Sequence, residues 1–344
     1  MKLSSSIIEG PADTIDPLLT LVVDNSIFFG ITIVAQKPVL AGPEVQNVNI
    51  MNSTFQDITC SENHTLPTET VQGVANRSVV MKSSLVDKVD GALSGALVFG
   101  LQATDLTLKD VHYYRGTNAV RFSNNVVFSS SIKIEIISSE FQNTTTSDFW
   151  PNGGILYLPH DEVHINMFNT SVSNSSAPNG HGGFLFTSGH STIIFDRCRM
   201  SYTSAGKSGG FIWAGKNVDT VILDNIDVRH SYSFGDGGAL FLDGVRSFQS
   251  NFGVFSTSST LKQGGVAFFN NSDDSEINRP STKPPTNFEL NINHFPHGDI
   301  TDGVEGDDTQ SPYASSRTSL RQHRRRLPNS LAMTLKRLPQ HKWE

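Results

Sequence analysis

Cysteine is nearly missing: Cys60 and Cys198 are the only two in 344 residues. Two cysteines build neither a disulfide framework nor a four-cysteine zinc site, so packing and hydrogen bonding must hold this chain. They leave the redox compartment open. Charged residues are also sparse at 17%, and the Glu, Lys, Leu and Ala that long amphipathic helices need are scarce. A membrane helix wants roughly 20 unbroken apolar residues. Here the apolar stretches Leu18–Val23 and Ile27–Ala35 are split by Asp24-Asn25-Ser26 and read as two buried strands, with no transmembrane segment. After Met1-Lys2, the run Ser4-Ser5-Ser6 and Glu9 leaves no apolar leader core. A secreted form would carry its leader outside this sequence.

Basic charge is missing from the body of the chain. Arg317, Arg321, Arg324, Arg325, Arg326, Lys336, Arg337 and Lys342 stand against Glu344 alone, leaving +7 in the last 28 residues. The whole chain is −7, so residues 1–316 carry −14. A groove for nucleic acid needs positive surface, which excludes nucleic acid as a partner of the main domain.

What is abundant is Gly, Asn, Ser and Thr, the last two about a fifth of the chain; that composition suits short strands broken by turns. Five Gly-Gly pairs each open an apolar run: Gly153-Gly154, Gly182-Gly183, Gly209-Gly210, Gly237-Gly238 and Gly264-Gly265, spaced 29, 27, 28 and 27. A fainter copy begins at Ser94 and runs to Phe99. A second motif interleaves: strands from Val163, Thr192 and Val221 enter an Asx-rich bend and resume at Val172, Met200 and Val228. Each period therefore holds two or three strands of about four to six residues.

With no helical pattern between the strands, this period fits an all-β fold, a right-handed parallel β-helix. Residues 18–271 would form the repeat domain, roughly nine coils and about 40 Å long at about 4.8 Å per coil. Residues 272–344 turn Pro-rich, then acidic, then basic, and are expected to form a disordered tail. Arg324-Arg325-Arg326 there is a solvated patch or an anionic-surface signal.

Aligned coils turn sequence columns into ladders. One reads Leu156, Leu185, Ile212, Leu240, Ala267, and the next reads Tyr157, Phe186, Trp213, Phe241, Phe268. Adjacent strand residues face opposite ways, so the aliphatic ladder is expected inside and the aromatic one outside. An exposed aromatic row would be a recognition surface. Two other readings stay open: turn residues fold back over the row, or the two facings are inverted.

Gly237-Gly238-Ala239-Leu240 and its relatives resemble the repeats of chlamydial polymorphic outer-membrane proteins, over roughly residues 94–271. Those repeats pair Gly-Gly-Ala-Ile/Leu/Val with Phe-x-x-Asn, found here at Phe122–Asn125, Phe248–Asn251 and Phe268–Asn271. The resemblance implies the β-helix passenger of an adhesin. The chain departs from it in showing no C-terminal strands that alternate like a membrane barrel. More loosely, it looks like the pectin-lyase-like β-helix superfamily, in which fold says little about function.

Enzymatic chemistry has two candidates. Asn179-Gly180-His181-Gly182-Gly183 resembles the Gly-His-Gly of polygalacturonase-type glycosidases, whose hydrolysis needs paired carboxylates. The Asp-Asp pairs, Asp273-Asp274 and Asp307-Asp308, lie outside the repeats, so His181 reads as a corner residue, like Lys207-Ser208 and Asp236 in other coils. A lyase would need clustered acids for calcium with a basic partner. Asp196, Asp224 and Asp227 recur at the bends and offer an acidic column, or they cap their own turns. Arg197, Arg199 and Arg229 nearby balance them. Sequons at Asn52, Asn63, Asn76, Asn143, Asn169, Asn174 and Asn270 are compatible with a secreted glycoprotein.

The expectation is a non-enzymatic, extracellular or cell-surface solenoid without cofactor or metal, binding a cell-surface protein or glycan through Tyr157, Phe186, Trp213, Phe241 and Phe268. The alternatives are a carbohydrate-active lyase or hydrolase, and a spacer rod without ligand.

Overall fold

The computed structural model describes residues 20–33, 38–42, 45–60, 77–98, 104–121, 132–146, 151–159, 162–215, 217–270, 287–294 and 300–302. Through them the chain winds as an all-β parallel solenoid. Each short strand pairs with its counterpart one coil away and does not fold back as a hairpin. No helix among the described residues is long and apolar enough to cross a membrane.

Three faces result. The first stacks Thr20–Asp24, Asn47–Met51, Arg77–Lys82, Thr104–Lys109, Ile132–Ile137, Val163–Phe168, Ser191–Asp196, Thr220–Asp224 and the start of Ser247–Ser256. The second stacks Ile27–Phe29, Thr54–Cys60, Leu85–Val89, His112–Tyr114, Glu140–Thr145, Ser171–Ala177, Arg199–Ser201, Asp227–Arg229 and the end of Ser247–Ser256. The third stacks Val120–Arg121, Leu156–Leu158, Leu185–Thr187, Ile212–Ala214, Leu240–Asp243 and Ala267–Asn270.

Pairing continues past residue 271. Asn287–His294 adds to the first face and Ile300–Asp302 to the third. The rest of the expected tail lies outside the described residues, as do the sequons at Asn63 and Asn76 and the Phe-x-x-Asn at 122–125. The faint repeat copy at Ser94 is not a strand: Ala92–Ala96 forms a π turn, and Val98 makes a single parallel bridge to Ala41.

Strand alternation builds the core. Val172, Met200, Val228 and Phe255 follow one another in register on the second face, all at most 1% exposed. Between the first and second faces the chain turns through a column of left-handed residues: Asn25, Asn52, Ser83, Asp110, Ser138, Asn169, Arg197, Asn225 and Phe252. Asn and Asp tolerate that conformation best among residues with a Cβ, which explains the Asx-rich bends of the sequence. A second left-handed column, Asp57, Lys88, Arg115, Asn143, Asn174, Tyr202, His230 and Thr257, bends the second face itself.

Just inside the first bend runs a ladder of buried hydroxyls. Ser139 Oγ donates to Ile137 O at 2.9 Å and accepts from Val111 N–H, and Ser139 N–H in turn donates to Thr170 Oγ1. Cys198 occupies the next rung and its Sγ donates to Asp196 O at 3.2 Å. Burial pushes its thiol up to about 11, so this free cysteine is structural and unreactive at neutral pH.

The Gly-Gly corners need glycine twice, for different reasons. Gly182 has φ +67°, which a Cβ would strain. Gly183 is in an ordinary conformation, but a Cβ there would overlap Gly210 O of the next coil. Ser175 Oγ donates to Gly183 O at 2.6 Å and fastens the corner to the second face.

Candidate functional site

The third face resolves the two ladders of the sequence. Leu156, Leu185, Ile212, Leu240 and Ala267 are in direct register and at most 4% exposed, within the contiguous core. Tyr157, Phe186, Trp213, Phe241 and Phe268 form the neighbouring register and stand outside that core cluster. The facing expected from strand alternation is therefore the one adopted.

The aromatic row is not an open strip, however. Its rings stack on one another: Tyr157 on Phe186 at 5.3 Å, Phe186 on Trp213 at 4.4 Å and 4°, Trp213 on Phe241 at 5.9 Å and 4°, Phe241 on Phe268 at 5.4 Å. Tyr157, Phe186 and Phe268 are buried, while Trp213 and Phe241 are half-buried. The ring faces between Tyr157 and Phe268 are turned to one another, so Phe186, Trp213 and Phe241 present edges and not the open face that a sugar ring needs. Gly215 lies so close to the Trp213 indole that a Cβ would overlap it.

His181 supplies part of the cover, with its ring 5.3 Å from Trp213 and 6.4 Å from Phe186. It belongs to a corner column whose members each link to the next coil. His181 N–H donates to Asn152 Oδ1 at 2.8 Å, Ser208 N–H to His181 Nδ1 at 3.3 Å, Asp236 N–H to Ser208 Oγ at 3.2 Å, and Gln263 N–H to Asp236 Oδ1 at 3.2 Å. Four different side chains thus perform one task, presenting an acceptor to a backbone donor one coil on. For His181 this requires a neutral ring with Nδ1 unprotonated. Burial first, then the Lys207 charge, lowers its pKa to about 4.

The acidic column divides. Asp196 and Asp224 are in register, but each spends Oδ1 on an asparagine of the following coil, Asn225 and Asn251. Asp227 stands in a different register, opposite Arg199, and accepts from Arg229 Nε at 2.8 Å. Among the described residues no three His, Cys, Asp or Glu side chains converge as a metal-ligating group.

One acid–base cluster escaped the sequence reading. On the second face, Glu140 Oε2 accepts from Tyr114 Oη at 2.6 Å and lies 3.2 Å from His112 Nδ1, and Gln142 donates to Oε1. Burial and the bond to Glu140 push Tyr114 up to about 12, and the Tyr114 hydrogen bond holds Glu140 below the usual carboxylate range. Both oxygens of this carboxylate are engaged within the cluster. His112 and Glu140 are 28 residues apart and meet only because successive coils align.

A second feature was also missed. The large exposed apolar residues of the later coils, Tyr202 at 57%, Phe234 at 55%, Phe252 at 53% and Leu261 at 67%, lie on or border the second face. Tyr202 and His230 stack at 4.7 Å and 10°, and Phe234 meets Tyr232 edge-on at 5.1 Å.

Comparison with known proteins finds no matching family, no matching curated protein and no matching solved structure.

Proposed function

We propose that this chain is a non-enzymatic, cell-surface or extracellular solenoid that binds a partner through its outer surface, in the manner of an adhesin. The observation that carries the reading is the exposed pair Phe234 and Leu261, which hold one column on successive coils, with Tyr202 exposed on the coil before them. Contiguous apolar surface on a folded domain usually marks a partner site, and a regular sheet face holds such residues in fixed positions. In this reading the third-face row is chiefly a stiffening spine, and only the edges of Trp213 and Phe241 add to binding.

The test measures attachment to cell surfaces and melting temperature on the same variants. Phe234→Ser with Leu261→Ser is expected to weaken attachment and leave melting unchanged, because both side chains are mostly in solvent. Trp213→Ala is expected to lower melting, because the indole is sandwiched between Phe186 and Phe241. Attachment that is indifferent to the Phe234/Leu261 pair would refute this surface as the binding face.

A further inference from the structure

We propose that Asn174 carries an N-linked glycan whose first sugar packs on the ring of Tyr202. The proposal rests on the extracellular part of the reading above and adds a modification site to the same face. Asn174-Ser175-Ser176 is an acceptor sequence of the Asn-x-Ser/Thr type, and Asn174 is exposed in the left-handed column that bends the second face. The residues on either side of it are in register with the next coil, Ser173 with Ser201 and Ser176 with Ser204, so Tyr202 holds the position of Asn174 one coil on. Tyr202 is 57% exposed and gives one ring face to His230, 4.7 Å away at 10°, on the coil beyond. Its other face is turned towards the coil of Asn174. Asparagine is the shorter side chain, so the outer part of that ring face stands clear of it.

The spacing suits a sugar attached at Asn174. Coils repeat at about 4.8 Å, which is the depth of one sugar ring laid against an aromatic plane. The C–H groups on the apolar side of a pyranose are slightly positive and meet the negative face of the tyrosine ring. The other outward side chains of the Asn174 strand are short, Ser171, Ser173 and Ser176, and leave room for the sugar. Asn174 Nδ2 spends one N–H on Asn143 Oδ1 at 3.1 Å, on the side away from Tyr202. The other N–H is the one replaced. In the transfer, Nδ2 gives that proton to a base and bonds the anomeric carbon of a lipid-diphosphate-linked oligosaccharide, whose anomeric C–O bond breaks as the lipid diphosphate leaves. The other sequons with described side chains lack an aromatic in that place. The residue one coil on is Ser83 after Asn52, Asn174 after Asn143, and Arg197 after Asn169.

The experiment compares the full chain secreted from cultured eukaryotic cells behind a cleavable leader with the unmodified full chain made in bacterial cytoplasm. Peptide mass spectrometry reads the occupancy of each sequon, and an endoglycosidase then trims every glycan to its first sugar. Wild type and Tyr202→Ser are both made in the two forms. Serine is chosen because Ser83 and Ser138 already hold left-handed bends in this fold. Expected is occupancy at Asn174 in both proteins. The trimmed wild type should gain about 2–4 °C more in melting temperature than trimmed Tyr202→Ser, each measured against its own unmodified form. A secreted chain bare at Asn174, whatever the state of Asn52, Asn143 and Asn169, overturns the proposal. An equal gain in both proteins overturns the packing on Tyr202 and the proposal with it. If Asn174 is occupied and the Tyr202-dependent gain is seen while cell attachment ignores Phe234 and Leu261, the binding reading falls and the glycan site stands. If Asn174 is bare while attachment needs that pair, the glycan site falls and the binding reading stands.

Discussion

Acidification should loosen the solenoid at one identifiable link. His181 accepts a hydrogen bond from Ser208 N–H only while Nδ1 is unprotonated. In the unfolded chain its pKa returns to about 6.5, whereas in the folded chain burial and Lys207 hold it at about 4. Above pH 6.5 both states are neutral and the link is fully present. As the pH falls from about 6.5 towards 4, the unfolded chain binds a proton that the folded chain refuses, and stability declines. At pH 5 the difference amounts to about 2 kcal/mol by linkage, and about 1 kcal/mol once solvent reaching the half-buried ring is allowed for. Asn152 performs the same task one coil earlier through Oδ1, so His181→Asn should keep the link and lose its pH sensitivity. Urea denaturation at pH 7 and pH 5 measures this. Wild type and His181→Asn should have similar midpoints at pH 7, and the variant should be the more stable at pH 5. Parallel loss of stability in both proteins would refute the link as the titrating element.

Three further outcomes follow from the core and the bends. Ile212→Asp should cost about 4 kcal/mol or more, because a carboxylate at a fully buried position has no compensating partner; thermal melting checks it. Phe252→Asn should stabilise by about 1 kcal/mol, since Phe252 is left-handed and exposed where Asn25, Asn52, Asn169 and Asn225 hold the same column; a lower denaturation midpoint would contradict that. Ser250 places a buried Oγ with no hydrogen-bond partner among the described residues in an otherwise apolar column, so Ser250→Ala should be neutral or stabilising by about 1 kcal/mol on urea denaturation.

The solenoid was legible in the sequence because its register is written in residues with few substitutes. Gly182 and Gly183 are required by backbone sign and by coil contact respectively, so their period survives while side chains drift. The Asx bends recur because the left-handed column tolerates Asn and Asp best. Where the constraint is weaker the reading failed. Ala92–Ala96 kept the apolar pattern of the later strands without their corner pair, and it turns as a π segment. Beyond residue 271 the composition changes as read, and two short strands, Asn287–His294 and Ile300–Asp302, pair onto the end of the stack. The corner positions His181, Ser208 and Asp236 align in the sequence, but the hydrogen bond that each accepts from the next coil does not show there, because with Asn152 they share an acceptor atom and no residue type.

The same geometry explains why the aromatic row stacks on itself. Parallel stacking places equivalent residues one above another, so an aromatic column satisfies itself ring on ring and spends on stiffness the faces it would offer a ligand. Phe186 and Trp213 at 4.4 Å and 4° are the extreme case. Conspicuous periodicity in a solenoid is therefore evidence for structure. Exposed side chains of the second face stand where the column does not repeat them: Arg199 follows Glu140 and Ser171, Tyr202 follows Asn143 and Asn174, and Phe234 follows a glycine, Gly206. Departures from the column, and not the column, set what the second face presents to solvent.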